Sequence, residues 1–216
     1  MRKTMWELKQ AATPGTLELY IYGDVEGDGR NWWTDEVIRS ETSANTFRED
    51  LAAHPDVSQI NIYINIYINS YGGSVFEGTA IYNQLKRHPA RKTVYVDGFA
   101  CSIASVIAMA GDEVVMPRNA LMMVHNMWMG VCGNAAELRK AADDLDKINE
   151  AGRAAYLQKA GDKLTAEAIT YDQTMDLPLG ELLDLVAIEQ IKHEGARLKH
   201  SAGDGEEEFF ALLNRR

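Results

Sequence analysis

The sequence predicts an α/β fold, because strand patterns repeatedly lead through a turn into a helix pattern. A strand at residues 60–69 is followed by a Gly-Gly turn and a helix at 75–87, and a strand at 94–96 is followed by an apolar helix at 100–110. This alternation is typical of a sheet covered by helices. The chain of 216 residues is long enough for one good core or two modest ones.

The composition excludes several classes of function. The formal net charge is −10 and no basic run occurs, which argues against a nucleic-acid surface. Two cysteines, Cys101 and Cys132, make no disulfide framework, and no Cys/His group has zinc-ligand spacing. We therefore expect a cytoplasmic protein without metal or cofactor. In the first ten residues, charges precede any long apolar run. We therefore expect neither a secretory signal nor a membrane partner.

The N-terminal elements follow in order. Residues 1–16 show no readable pattern and predict a flexible arm, whereas residues 17–22 alternate as a first strand. Of the adjacent Trp32 and Trp33, we expect one to pack against this strand. Helical spacing of apolar residues, with Ser43 as its cap, predicts a helix ending at residue 53.

The clearest strand covers residues 60–69, where isoleucines alternate with Asn or Tyr, so one aliphatic face should face a core. The Ile-Asn-Ile-Tyr unit occurs twice, which indicates either a longer strand or a bulge. Gly72-Gly73 then permits close approach of backbone N–H groups to a ligand. A tight turn that needs positive φ explains the two glycines equally well.

The stretch from residue 94 to residue 111 predicts a strand that Asp97-Gly98 ends, followed by a buried helix. Cys101, Ser102 and Ser105 fall in the predicted first helical turn, where unpaired N–H groups can stabilise a developing oxyanion. This arrangement suits a nucleophilic serine. A buried helix whose small residues only allow close packing is an equal alternative.

Short strands at residues 113–116 and 120–124 lead to His125. A lone histidine after a strand is more often structural than catalytic. However, His125 follows Ser102 by 23 residues, enough for a helix and a strand to return to the same sheet edge. The Met-, Trp- and Gly-rich loop at 126–133 either lines a substrate groove or packs.

A long amphipathic helix is predicted from residue 134 to residue 159, because apolar residues recur three and four positions apart. Its narrow apolar stripe requires a partner. The remaining predicted elements are short helices at 166–171 and 182–191 and an acidic, flexible tail at 203–208.

Three separated motifs resemble, in order and spacing, the proteolytic subunit of the Clp protease (ClpP). They lie at residues 68–78, at 98–102 with 108–111, and at 122–125. The resemblance covers roughly residues 17–176 and is most marked to the head-maturation ClpP-like proteases of phages and prophages. It implies a repeated β-β-α spiral fold related to the crotonases, with a protruding handle helix.

The resemblance also implies a Ser-His-Asp serine endopeptidase. Ser102 matches the family's nucleophile, His125 its general base and Asp176 its acid. Gly73 and the N–H of Ile103 match its oxyanion hole. These roles are chemically coherent, because serine becomes a good nucleophile only when a histidine takes its proton.

The acid could come from Asp172 or Asp176. Asp172 follows the polar end of a predicted helix and should point to water. Asp176 opens an apolar stretch in which Pro178 turns the chain back toward the core. We therefore favour Asp176.

The family's organisation implies four regions: a flexible arm (1–16), a catalytic head (17–133), a handle helix with the triad aspartate (134–176), and a C-terminal helix with an acidic tail (177–216). It further implies heptameric rings stacked as a tetradecameric homo-oligomer, with protein or peptide substrates. An ATPase unfoldase and phage capsid or scaffold proteins are the implied partners.

Two other classes of function fit the same residues. A crotonase-fold acyl-CoA enzyme also uses paired backbone N–H groups, but it needs no serine and histidine together. A catalytically silent homologue would keep only the assembly.

Overall fold

The computed structural model describes residues 5–54 and 63–161, and it confirms the predicted α/β class. Eight strands and four helices occur within these ranges. They are β1 (Met5–Gln10), β2 (Thr16–Tyr22), β3 (Gly29–Arg30), β4 (Val37–Ile38), α1 (Ala44–Ala52), β5 (Tyr63–Ser70), α2 (Val75–Arg87), β6 (Arg91–Cys101), α3 (Ile103–Ala108), β7 (Glu113–Val115), β8 (Leu121–Met123) and α4 (Ala135–Ala160).

The main sheet has the order β1-β2-β5-β6-β7, and β8 also pairs with β6. All of its pairings are parallel except that of β1 with β2. The first half of β6 pairs with β7, and its last three residues pair with β8. Because these strands run in one direction, the carboxyl ends of β5, β6 and β8 meet at the same edge of the sheet.

One face of the sheet is buried, as the alternating pattern predicts. Ile66 and Ile68 of β5 are fully buried, whereas residues 60–62 of the predicted strand lie outside the described ranges. The opposite face carries stacked tyrosine rings, with centroids 4.8 Å apart between Tyr20 and Tyr67 and 5.1 Å apart between Tyr67 and Tyr95. The neighbouring strands add Leu19, Ile21, Val94 and Val96 to this core, and helices α2 and α3 cover it with Ile81, Leu85, Ile103 and Ile107.

Two expectations for the N-terminal part need correction. Residues 5–10 of the predicted arm form β1, in which Trp6 and Leu8 pack against the core. Trp32 and Trp33 do not pack against β2: each is 79% exposed, and their rings lie against one another with centroids 3.9 Å apart. They lie in the connection between β3 and β4, a small hairpin that the sequence pattern did not reveal.

The prediction that Asp97-Gly98 ends the strand before residue 101 is wrong. Strand β6 continues through both residues to Cys101, and the predicted helix at 100–110 is shortened to α3. Gly98 serves close packing here, because a Cβ at this position would lie 2.4 Å from Oδ1 of Asn69 on β5. Cys101 is therefore the last residue of a strand and not part of the first helical turn.

A β-bulge accommodates the extra length of β6. Ile68 pairs with Val96, but two residues later Ser70 pairs with Ala100, four residues further along β6. The additional residues thus belong to β6 and not to the repeated Ile-Asn-Ile-Tyr segment. Such a bulge bends the strand and re-aims the residues after it.

The long amphipathic helix is confirmed as α4. Asn134 and Glu137 form a capping box at its start. Gly152, Ala155, Tyr156 and Ala160 near its end are buried, whereas residues 135–140 are exposed. Helix α4 is therefore anchored by its second half. Within the described part of the chain, no helix is both long and apolar enough to span a membrane.

Residues 162–216 lie outside the described ranges. The predictions for the two short helices, the acidic tail, Asp172 and Asp176 fall there and stay predictions.

Candidate active site

Ser102 occupies a strained turn between β6 and α3. Its backbone has φ 54° and ψ −129°, which is unfavourable for a residue with a side chain and costs about 1–3 kcal/mol. Two backbone hydrogen bonds hold this conformation: Ser102 N–H donates to Met123 O at 2.8 Å, and Ser105 N–H donates to Ser102 O at 3.0 Å. The sharp turn leaves Ser102 half-exposed between the buried Cys101 and Ile103.

Only one of the three candidate nucleophiles is accessible. Cys101 is buried, and this burial raises the pKa of its thiol, which disfavours the reactive thiolate. Ser105 is fully buried, and its hydroxyl is hydrogen-bonded to Ser102 O and to Tyr156 Oη. The hydroxyl of Ser102 has no hydrogen-bond partner among the described residues, so it is available to an incoming substrate.

The Gly-Gly turn after β5 closes directly onto Ser102. Gly72 and Gly73 have φ values of 100° and 138°, so both need the freedom of glycine. A Cβ on Gly72 would lie 2.7 Å from Ser102 Cβ and 3.1 Å from Ile103 N. The two glycines therefore allow the chain to turn and also allow the turn to lie close to Ser102. The sequence alone did not decide between these two roles.

Val25 holds this turn in place, although no pattern in the sequence singled it out. Its N–H donates to Gly72 O, and Ser74 N–H donates to Val25 O, each at 2.7 Å. This isolated parallel bridge leaves the N–H of Gly73 without an acceptor in the described ranges. Ile103, as the first residue of α3, also has no intrahelical acceptor for its N–H.

Two unsatisfied backbone donors thus lie beside Ser102. Ile103 follows Ser102 in the chain, and Gly73 follows the glycine that contacts Ser102 Cβ. Neither N–H has a hydrogen-bond acceptor in the part of the chain that the structure describes. Paired backbone donors of this kind can stabilise the oxyanion of a tetrahedral intermediate.

His125 lies at the same sheet edge as Ser102. It follows β8 by two residues, and β8 pairs in parallel with the end of β6 through Cys101 and Met123. Its Nδ1 lies 2.6 Å from Asn126 O. Because a carbonyl oxygen only accepts, Nδ1 carries the hydrogen and Nε2 is left as the basic nitrogen. No hydrogen bond joins Ser102 and His125 in this structure.

The surface around Ser102 carries exposed apolar side chains. The rings of Tyr71 and Phe99 are in contact, with centroids 4.2 Å apart, where β5 and β6 end. Tyr71 is exposed, as are Leu121 and Met123 of β8, whereas Phe99 is partly buried. The loop at 126–133 packs in part: Met127 is buried and its N–H donates to Asn149 Oδ1 at 2.7 Å, whereas Trp128 is 79% exposed. A substrate groove lined by this loop stays a prediction.

Comparisons with known proteins give consistent matches. The family model described as Clp protease matches residues 36–178. ATP-dependent Clp protease proteolytic subunit 1 of Streptomyces avermitilis is 33% identical over 136 residues, which cover 62% of this chain and 55% of the relative. Subunit 3 of Streptomyces coelicolor is 32% identical over 120 residues, covering 54% of this chain and 49% of the relative.

A further relative matches over a larger share of its length. The ATP-dependent Clp protease proteolytic subunit of Pleurastrum terricola is 30% identical over 164 residues, which cover 72% of this chain and 80% of that protein. The chain thus spans about half the length of the two Streptomyces relatives and most of the Pleurastrum one.

The strain at Ser102 predicts an unusual order of stability between two variants that both lack the hydroxyl. Ser102→Gly should be more stable than Ser102→Ala by about 1 kcal/mol, because relief of about 1–3 kcal/mol of strain exceeds the entropy that glycine adds to the unfolded chain. Urea denaturation of both variants measures the difference. The exposed Asp35, with φ 58°, is the matched control. Asp35→Gly should likewise be more stable than Asp35→Ala. If Ser102→Ala were more stable than Ser102→Gly, the backbone at residue 102 would not be strained.

Proposed function

The chain belongs to the Clp protease family, and on that premise we propose that it is a serine endopeptidase that cleaves polypeptides inside a ring-shaped oligomer. One observation carries the proposal: the half-exposed Ser102 hydroxyl lies on a strained turn beside two backbone N–H groups that have no acceptor in the described ranges. This is the arrangement that acyl transfer through a serine requires.

The proposed reaction begins with Ser102. Its Oγ attacks the carbonyl carbon of the scissile peptide bond while Nε2 of His125 takes the hydroxyl proton. The N–H groups of Gly73 and Ile103 stabilise the oxyanion that forms. His125 then gives the proton to the departing amine as the carbon–nitrogen bond breaks, which leaves an acyl group on Ser102. Water, activated by His125, releases this acyl group and restores the serine.

Asp176 is the proposed third member of the triad, although it lies outside the described residues. A triad carboxylate accepts the Nδ1 hydrogen of histidine and stabilises the imidazolium. In the structure, this hydrogen is directed at Asn126 O. The proposal therefore requires that Nδ1 exchange the carbonyl for the carboxylate, and that Nε2 come within hydrogen-bonding distance of Ser102 Oγ.

Polypeptides are the proposed substrates. Apolar side chains at the strand ends that lead to Ser102 support binding of a peptide with apolar residues: Tyr71, Leu121 and Met123 are exposed, and Phe99, which contacts Tyr71, is partly buried. The names of the relatives describe subunits of an ATP-dependent protease, which supports an ATPase unfoldase as partner. The resemblance to head-maturation proteases supports phage capsid or scaffold proteins as substrates.

Helix α4 is the proposed contact between two heptameric rings. Its buried second half fixes it to the core, whereas Leu138 in its first half is 43% exposed. Leu145 and Ile148 are partly buried against the core of the same chain, so the outer part of the predicted stripe is what needs a partner. An apolar stripe of this kind supports self-association through a facing subunit.

We predict that a fluorophosphonate probe labels the protein once and that the label is on Ser102. Intact mass measures the stoichiometry, and peptide mapping locates the label. Ser102→Ala should abolish labelling, whereas Cys101→Ala, its neighbour in the chain, should retain it. Loss of the general base in His125→Gln should slow labelling by a factor on the order of 10²–10⁴.

The same experiment separates the proposal from the two other classes of function. An acyl-CoA enzyme of the crotonase type and a silent homologue would both leave the probe unreacted, because neither activates the serine. An unlabelled protein, or a label that survives in Ser102→Ala, would therefore contradict the proposed function.

A second prediction concerns assembly. Leu138→Glu should convert stacked rings into single rings or smaller species, because it places a charge in the proposed apolar contact. Ala136→Glu is the matched control: it adds the same charge two residues away, about 200° around the helix, and should leave the assembly unchanged. Sedimentation velocity measures both. A monomer in the unmodified protein, or equal effects of both variants, would contradict the contact.

A further inference from the structure

A buried hydrogen-bond cluster lies directly behind Ser102. The hydroxyl of Ser105 is 2.5 Å from Ser102 O and 2.6 Å from Tyr156 Oη, and it is 3.4 Å from Met123 O. Ser105 is fully buried, and Tyr156, which comes from helix α4, is only 4% exposed. The cluster therefore joins the backbone of Ser102 to a distant helix without reaching the accessible face of the site.

The chemistry of the two hydroxyl groups sets the direction of these hydrogen bonds. A serine hydroxyl has one hydrogen, and at 2.5 Å it is donated to Ser102 O. Ser105 Oγ can then only accept from Tyr156, so the tyrosine hydroxyl is the donor. Successive hydrogen bonds of this kind strengthen one another, particularly in a buried environment.

This cluster controls the orientation of one peptide group. Ser102 O accepts from the N–H of Ser105 at 3.0 Å as well as from its hydroxyl, so two donors hold the carbonyl. The carbonyl of Ser102 and the N–H of Ile103 belong to the same planar trans peptide and point in opposite directions. Fixing the carbonyl therefore fixes the direction of the Ile103 N–H, which lies on the side away from the cluster.

We propose that Ser105 and Tyr156 are positioning residues that hold the Ile103 N–H in the direction needed for the oxyanion. The inference rests on the proposed function, because it assigns a role within the same site. The strained ψ of Ser102 makes such support necessary, since the orientation of this peptide is not one that the residue adopts by itself. Neither side chain contacts the substrate in this proposal.

The test compares Tyr156→Phe and Ser105→Ala with the unmodified full-length protein. The rate constant for fluorophosphonate labelling of Ser102 should fall about 10-fold in Tyr156→Phe and about 30-fold in Ser105→Ala, less than the 10²–10³ for loss of an oxyanion donor. The double variant should match Ser105→Ala alone, because in this proposal Tyr156 influences the Ser102 peptide through Ser105. With a fluorogenic peptide that the unmodified protein cleaves, kcat should fall in the same proportion and KM should stay constant.

Tyr82→Phe is the matched control. The hydroxyl of Tyr82 donates to Gln158 Oε1 at 2.7 Å, so this variant also removes the hydroxyl of a buried tyrosine and its hydrogen bond between α2 and α4. It should leave the labelling rate within about twofold, because it does not touch the peptide of Ser102.

The outcomes distinguish this inference from the proposed function. Suppose that the probe labels Ser102 of the unmodified protein, and that Tyr156→Phe and Tyr82→Phe are both labelled at the same rate as the unmodified protein. The positioning role is then wrong and the proposed function stands. Additive effects in the double variant would also contradict it. If the unmodified protein does not react, the proposed function fails and the inference fails with it.

Discussion

The site depends on one strained peptide, the Ser102–Ile103 unit, which joins β6 to α3. Ser102 has a positive φ, yet its backbone is held on both sides, by Met123 O at its N–H and by the N–H and hydroxyl of Ser105 at its carbonyl. These contacts require that β8 lie beside the end of β6 and that α3 begin at once after the turn. Strain of about 1–3 kcal/mol persists only where surrounding structure determines the conformation in this way.

The sheet places a second turn, the Gly-Gly turn after β5, against this peptide. Strand β5 ends beside β6, and its Gly-Gly turn approaches Ser102 so closely that any side chain on Gly72 would collide with it. The bridge to Val25 uses the groups on either side of Gly73 and leaves the Gly73 N–H available. Parallel strands that end at one edge thus supply a hydroxyl, an imidazole and two backbone donors from segments far apart in the sequence.

Local patterns could predict the elements but not the contacts between them. The alternating isoleucines, the glycine turn and the spacing in α4 predict β5, the turn after it and the long helix, because each depends on neighbouring residues alone. The continuation of β6 through Asp97-Gly98 depends on packing against Asn69, and the exposure of Trp32 and Trp33 depends on a hairpin without a strong strand pattern. Likewise, no local pattern reveals that Tyr156 reaches Ser105. Asp176 stays a prediction.

We infer that Gly73 and Ile103 hold the oxyanion formed at Ser102, and a crystal structure of the phosphonylated protein would show whether they do. A phosphonyl group on Ser102 places an oxygen where the oxyanion of a tetrahedral intermediate would lie. If Gly73 and Ile103 hold the oxyanion, this oxygen lies about 2.7–3.1 Å from both Gly73 N and Ile103 N. An oxygen directed at solvent, or bound to other donors while these two N–H groups stay unpaired, would contradict it.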